Sequence, residues 1–238
     1  MLTEELLIRI ATKTNIATEK LEHEINLLQT MPVLFALLEN NKQKIGLYGG
    51  TALNKIYYGK RQRLSYDLDL FCYNFKDTLK LLIENGAKKS GLSSDARAAL
   101  IYNDVKIDMW GVSKLEEEPK KLQVVSLLSF FDYPVVNSVA PSYSLEFLLA
   151  RKLVAMSSRS LIRDIYDTWI GLQLIKNKKR FYHYLDREES GANLDVKKAF
   201  RDIIMKGVDY YKGKTVDAID APTAERMIKE IAEMLEVR

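Results

Sequence analysis

Ile45-Gly46-Leu47-Tyr48-Gly49-Gly50-Thr51-Ala52-Leu53, and after a basic turn Arg63-Leu64-Ser65-Tyr66-Asp67-Leu68-Asp69-Leu70-Phe71, are the residues on which the fold depends. The first four are an apolar run. The glycines that follow let the chain turn tightly into an apparent helix starting at Ala52-Leu53. The second run alternates polar and apolar residues with period two, which reads as a strand over residues 65–71 with one buried face. Asp67 and Asp69 then point to the same side of that strand, roughly 6–7 Å apart along the backbone.

Each of these features has a plain reading beside a chemical one. A Gly-Gly-Thr turn before a helix brings backbone N–H groups close to a phosphate, and it also serves as an ordinary tight turn. Two neighbouring carboxylates repel each other, and on a buried face they need a divalent cation between them. Magnesium, with oxygen ligands at about 2.0–2.1 Å, suits that role, while a solvated edge strand carries the same pair without one. Asp108, in Lys106-Ile107-Asp108-Met109-Trp110, lies on a later strand and would complete a two-metal site; by itself it reads as a surface aspartate.

Outward from this stretch, residues 4–13 and 17–30 read as helices, the second capped by Thr18 and interrupted at Pro32. Residues 76–85 read as a helix. Ala98–Tyr102 and Val105–Trp110 read as a hairpin joined by Asn103-Asp104. Residues 116–121 form a charged loop. From Pro141 the apolar spacing becomes helical, with helices over 145–157 (capped by Ser144), 160–176, 180–187, 194–211 and 223–237 (capped by Thr223). The expected domains are 1–140 and 141–238.

The chain has 238 residues, with 36 Lys+Arg against 32 Asp+Glu and a net charge of +4, so it is no polycation. One cysteine, Cys72, excludes a disulfide framework and a multi-cysteine zinc site. Two distant histidines, His23 and His183, disfavour a histidine-built metal site and leave carboxylates as metal ligands. His23 lies on a charged helix face and is expected to be exposed. Neither a secretory signal nor an apolar run of membrane-spanning length is present in these residues, so a cytoplasmic setting with no membrane association is expected.

The Gly49-Gly50-Thr51-Ala52-Leu53 turn, the Arg63-x-Ser65-x-Asp67-x-Asp69 strand and the later Asp108 resemble the DNA polymerase β-like nucleotidyltransferases, and within them the AbiEii branch of toxins. Leu145–Ala155, with Lys152, and Arg163-Asp164-Ile165-Tyr166-Asp167 are similar to that branch's later motifs, so the resemblance spans roughly residues 45–170. It implies a nucleotidyltransferase fold with a small mixed sheet flanked by helices, followed by a helical bundle. It further implies that Asp67, Asp69 and Asp108 bind magnesium, one or two ions. Gly49, Gly50, Thr51, Arg63 and Ser65 would contact the nucleotide, Lys152 would neutralise the triphosphate, and Asp164 would orient Lys152 or contact the nucleotide.

The expected reaction is transfer of a nucleoside monophosphate from an NTP to an acceptor hydroxyl, with a tRNA 3′ end as acceptor and a cognate antitoxin as protein partner. Nucleotidylation of a small molecule or a protein is the alternative within enzymes, and a catalytically silent binding module the alternative outside them. Lys152→Ala is expected to weaken NTP use with the fold intact.

Overall fold

The computed structural model describes residues 4–91, 93–131, 138–159, 161–206, 216–218 and 222–236. The chain divides into two compact units, Met1–Tyr143 and Ser144–Arg238.

In the first unit, α1 (Glu4–Thr14) and α2 (Thr18–Asn40) precede β1 (Ile45–Tyr48). The turn α3 (Gly49–Ala52) continues through a wide turn over Leu53–Tyr57 and a tight one over Gly59–Arg61 to β2 (Asp67–Cys72). Then come α4 (Phe75–Glu84), β3 (Lys88–Lys89), β4 (Arg97–Tyr102), β5 (Val105–Gly111), β6 (Lys120–Val124) and β7 (Ser138–Ser142). They build a seven-stranded sheet in the order β3-β4-β5-β2-β1-β7-β6. It is mixed: β2 runs antiparallel to β1 and parallel to β5.

One face of the central strands is wholly apolar. Leu47, Leu68, Leu70, Ile107, Met109, Ala98 and Leu100 are all fully buried on it. With period-two alternation, this core obliges Asp67, Asp69 and Asp108 to share the opposite face. The hairpin forms as its sequence predicts, with Asn103 and Asp104 both at positive φ (49° and 60°), the backbone of a two-residue turn whose twist matches its strands.

Several expectations are corrected. Helix α2 runs unbroken through Pro32 for 23 residues. The missing hydrogen bond costs about 3 kcal/mol. Burial of Leu27, Leu28, Met31, Leu34, Phe35 and Leu38 on the same helix outweighs it, at roughly 1.5–3 kcal/mol for each large side chain. Thr18 is the first helical residue rather than the cap, and Ala17 in the cap position makes no side-chain bond. Lys120 and Lys121 belong to strand β6 rather than to a loop. Strand β7 includes Pro141, where strand character was expected to end.

The second unit is helical: α5 (Leu145–Arg159), α6 (Ile162–Leu174), α7 (Lys178–Ala192), α8 (Val196–Lys206) and α9 (Ala224–Met234). Ser144 Oγ accepts from the Phe147 N–H at 3.4 Å, and Thr223 caps α9 by accepting from the Arg226 N–H. The expected helix over 194–211 extends past Lys206 into residues outside the described set.

Candidate active site

Strand register assembles the carboxylate face. Asp69 lies directly opposite Asp108 across the β2–β5 pair and opposite Tyr48 across the β1–β2 pair, while Asp67 faces Lys106. Neighbouring strands stand ≈ 4.7–4.9 Å apart, so Asp67, Asp69 and Asp108 form a compact acidic patch. All three are partly accessible, as a site open to a charged ligand requires.

Gly49 makes room for this patch. Its φ is +74°, and a Cβ there would lie 2.1 Å from Asp69 Oδ2. Both the backbone conformation and the contact exclude a side chain. Gly49→Ala is therefore expected to lower nucleotide transfer by about 10²-fold by displacing Asp69. The added φ strain should also lower Tm, read by thermal melting beside the transfer rate. A variant with native transfer would remove Gly49 from the site.

The donor set of Asp67 and Asp69 consists of hard carboxylate oxygens with backbone clearance beside them, and it fits magnesium. Asp108 is held differently: Lys106 Nζ donates to its Oδ2 at 2.6 Å. Among the described residues no three His, Cys, Asp or Glu side chains form a ready-made metal cage. Asp108 would join the other two as a ligand through Oδ1, with Oδ2 still on Lys106, or after giving Lys106 up.

The residues expected to cradle a nucleotide divide into two groups. Thr51 Oγ1 donates to the Asp67 carbonyl at 2.6 Å, and the Arg63 guanidinium donates to the Leu64 carbonyl at 2.9 Å, so these groups hold the backbone around the site. Gly50 accepts from Asn54 Nδ2 through its carbonyl at 2.8 Å. Ser65 is buried, and its Oγ has no hydrogen-bond partner among the described residues. Tyr57 donates to the Tyr143 carbonyl and Tyr58 is buried. The Cys72 thiol is pushed up to about 12 by burial and is inert.

The sequence reading missed His23 and Glu24. His23 is half-buried rather than exposed, with Nε2 bonded to the Tyr66 carbonyl at 2.9 Å. Glu24 is fully buried. A signal was present: Glu24 sits three residues after Leu21 and four before Leu28, on the apolar stripe of its own helix.

In the second unit, Lys152 is buried between two carboxylates, bonding Asp164 Oδ1 at 2.6 Å and Asp167 Oδ2 at 2.7 Å. Arg159 adds a two-pronged contact to Asp164 at 2.6 and 2.9 Å. Helix periodicity explains the cluster: Lys152 and Arg159 are seven apart on α5, and Asp164 and Asp167 three apart on α6. Lys152 and both aspartates are buried, so they are not part of a solvated helix surface.

Burial pushes the Asp164 carboxyl up, but Lys152 and Arg159 overcome it and hold it at about 2. A folded pKa below the unfolded one means that the carboxylate's contribution, roughly 2 kcal/mol, is complete above about pH 4 and is lost as pH falls through 2. Asp164→Asn is accordingly expected to lower Tm at pH 6, with the deficit shrinking as pH approaches 2. A deficit that stays constant between pH 6 and pH 2.5 would show that the charge is not its source.

The mixed sheet, the glycine turn and the acidic strand pair define a nucleotidyltransferase. Solved structures share the fold. MenT4, a nucleotidyltransferase toxin from Mycobacterium tuberculosis H37Rv, aligns with a TM-score of 0.64 at 16% identity, over 100% of this chain and 91% of its own. The antibiotic-resistance factor ANT(2'')-Ia, solved with adenylyl-2''-tobramycin, aligns at 0.52 and 10% identity, over 70% of this chain and 98% of its own. At these identities the likeness is one of fold. The chain belongs to the family described as the nucleotidyl transferase AbiEii toxin of the type IV toxin–antitoxin system, whose model matches residues 33–231. A search of curated proteins finds no match. No helix among the described residues is long and apolar enough to cross a membrane.

Proposed function

We propose that this nucleotidyltransferase moves a nucleoside monophosphate from an NTP to the 3′-terminal hydroxyl of a tRNA, releasing pyrophosphate, and that a cognate antitoxin restrains it. The observation that carries the reading is the registered placement of Asp67, Asp69 and Asp108 on one accessible sheet face, with Gly49 leaving clearance for Asp69.

Asp67 and Asp69 would hold magnesium, with Asp108 joining them. Bound there, magnesium would neutralise the triphosphate and acidify the attacking hydroxyl. The protein's own contribution is positional, because phosphoryl-type transfer asks for alignment and charge compensation rather than covalent chemistry. Gly49, Gly50 and Ser65 supply backbone and hydroxyl groups toward the nucleotide. The family resemblance alone adds Lys152 as a cation for the nucleotide; within its own unit its Nζ bonds Asp164 and Asp167.

Incubation with each labelled NTP, magnesium and total RNA tests the reading. Label in the tRNA fraction is the expected result, with binding that weakens steeply as salt rises, as phosphate-backbone recognition demands. Label in small molecules or protein would replace the acceptor, and label nowhere would sink the proposed transfer.

A further inference from the structure

The loop that feeds β2 is tied to neighbouring segments at nearly every residue. Gln62 Nε2 donates to the carbonyls of Gly59 at 2.8 Å and Val125 at 3.2 Å. The Arg63 N–H donates to Asn54 Oδ1 at 2.7 Å, and the Ser65 N–H to Glu24 Oε2 at 2.9 Å. His23 Nε2 donates to the Tyr66 carbonyl, and Thr51 to that of Asp67. Lys55 Nζ pairs with Glu24 Oε1 and bonds Gln62 Oε1 at 2.8 Å. Glu24, Lys55 and Gln62 are all fully buried.

A buried ion pair is a poor way to gain stability, since its desolvation offsets most of the attraction and an apolar pair of similar volume often does as well. It does give direction. One oxygen of Glu24 is committed to Lys55 and the other accepts from a backbone N–H two residues before Asp67. Such a charge-assisted bond is stronger and more narrowly oriented than a neutral one.

We propose that Glu24 and Lys55, with His23 and Gln62 beside them, are positioning residues that fix the Ser65–Asp67 backbone and through it the placement of the Asp67 and Asp69 carboxylates. The inference rests on the reading of those aspartates as the metal-binding, catalytic pair.

Two double variants separate anchoring from packing. With Glu24→Gln and Lys55→Met, the amide oxygen still accepts from the Ser65 N–H. With Glu24→Leu and Lys55→Met, no acceptor remains. Three quantities are measured: Mn²⁺ affinity by paramagnetic resonance titration, hydrogen exchange at the Ser65 amide, and the kcat and KM of nucleotide transfer.

The glutamine double keeps the acceptor but loses its charge and the Lys55 bonds, and is expected to lose about threefold in affinity and kcat. The leucine double should lose Ser65 protection, bind Mn²⁺ about tenfold more weakly, and lose about 10–100-fold in kcat with KM for NTP nearly unchanged. Native Mn²⁺ affinity and kcat in a cooperatively melting leucine double would overturn the proposal. If that variant does not fold, His23→Phe, which removes only the bond to Tyr66, should weaken Mn²⁺ binding about threefold. Native affinity there would overturn the proposal equally. Asp69→Ala run alongside keeps the two readings apart: native Mn²⁺ affinity in it would sink the aspartate assignment, and exchange at Ser65 would still decide the anchoring.

Discussion

Asp69→Ala is expected to lower nucleotide transfer by about 10³-fold while leaving Tm equal to or slightly above that of the native protein. The loss follows from removing a carboxylate from the middle of the acidic face, opposite Asp108 and two residues from Asp67. The stability expectation has the opposite sign for an electrostatic reason. Three like charges on one face repel, and Lys106 pairs with Asp108 there. Removing one relieves that repulsion and takes nothing from the apolar face of the sheet, where Leu68 and Leu70 remain buried. A site that binds charge at the expense of the fold shows this pattern. Transfer measured with labelled NTP, beside a thermal melt, checks both halves. Equal incorporation by variant and native chain would refute the metal assignment, and a Tm lowered by several degrees would refute the repulsion argument.

Lys152 makes the second large prediction, and here the structure corrects the expectation that its loss leaves the fold intact. Lys152→Met removes the cation that bonds Asp164 and Asp167 in the interior, and Asp164 keeps Arg159. Removing one partner of a buried pair costs about 3–5 kcal/mol, because the remaining charge is uncompensated. Transfer should fall as well. The two effects separate in the double variant Lys152→Met with Asp167→Leu, which removes a buried carboxylate together with its cation. It should regain most of the stability and none of the transfer activity, measured by urea unfolding and labelled-NTP incorporation. Recovery of both would show that Lys152 acts only as a structural counter-ion.

Local signals carried much of the fold. Alternation over residues 67–71 is enough to place a strand with Asp67 and Asp69 on one face, because side chains alternate whatever the strand pairs with. Asn103-Asp104 between two alternating runs is enough for the hairpin, since these residues accept the positive φ that the turn imposes. The glycine turn was legible for the same reason. Its partner was not: nothing near Gly49 in the chain says that Asp69 packs against it.

Where the local signal misled, tertiary packing was the cause. Pro32 is a helix breaker by its own chemistry, and α2 runs through it because the flanking apolar residues are buried. Strands β6 and β7 become strands by pairing with each other, and β7 also pairs with β1 through Leu47 and Ser142. Glu24 and Lys55 lie 31 residues apart, and Lys152 and Asp167 fifteen, so no window of local periodicity reports either pair.

By itself, then, the sequence determined the residue types available to hold a metal, the shared face of Asp67 and Asp69, the hairpin and the mixed α/β class. These depend on composition and on backbone periods of 2 and 3.6 residues, which act over a few residues. Only the tertiary structure decided that Asp69 stands opposite Asp108, that Lys106 holds Asp108, and that buried carboxylates grip Lys55 and Lys152. Register and burial are set by which distant segments exclude water together, and a charge removed from water pairs with whatever partner the fold delivers.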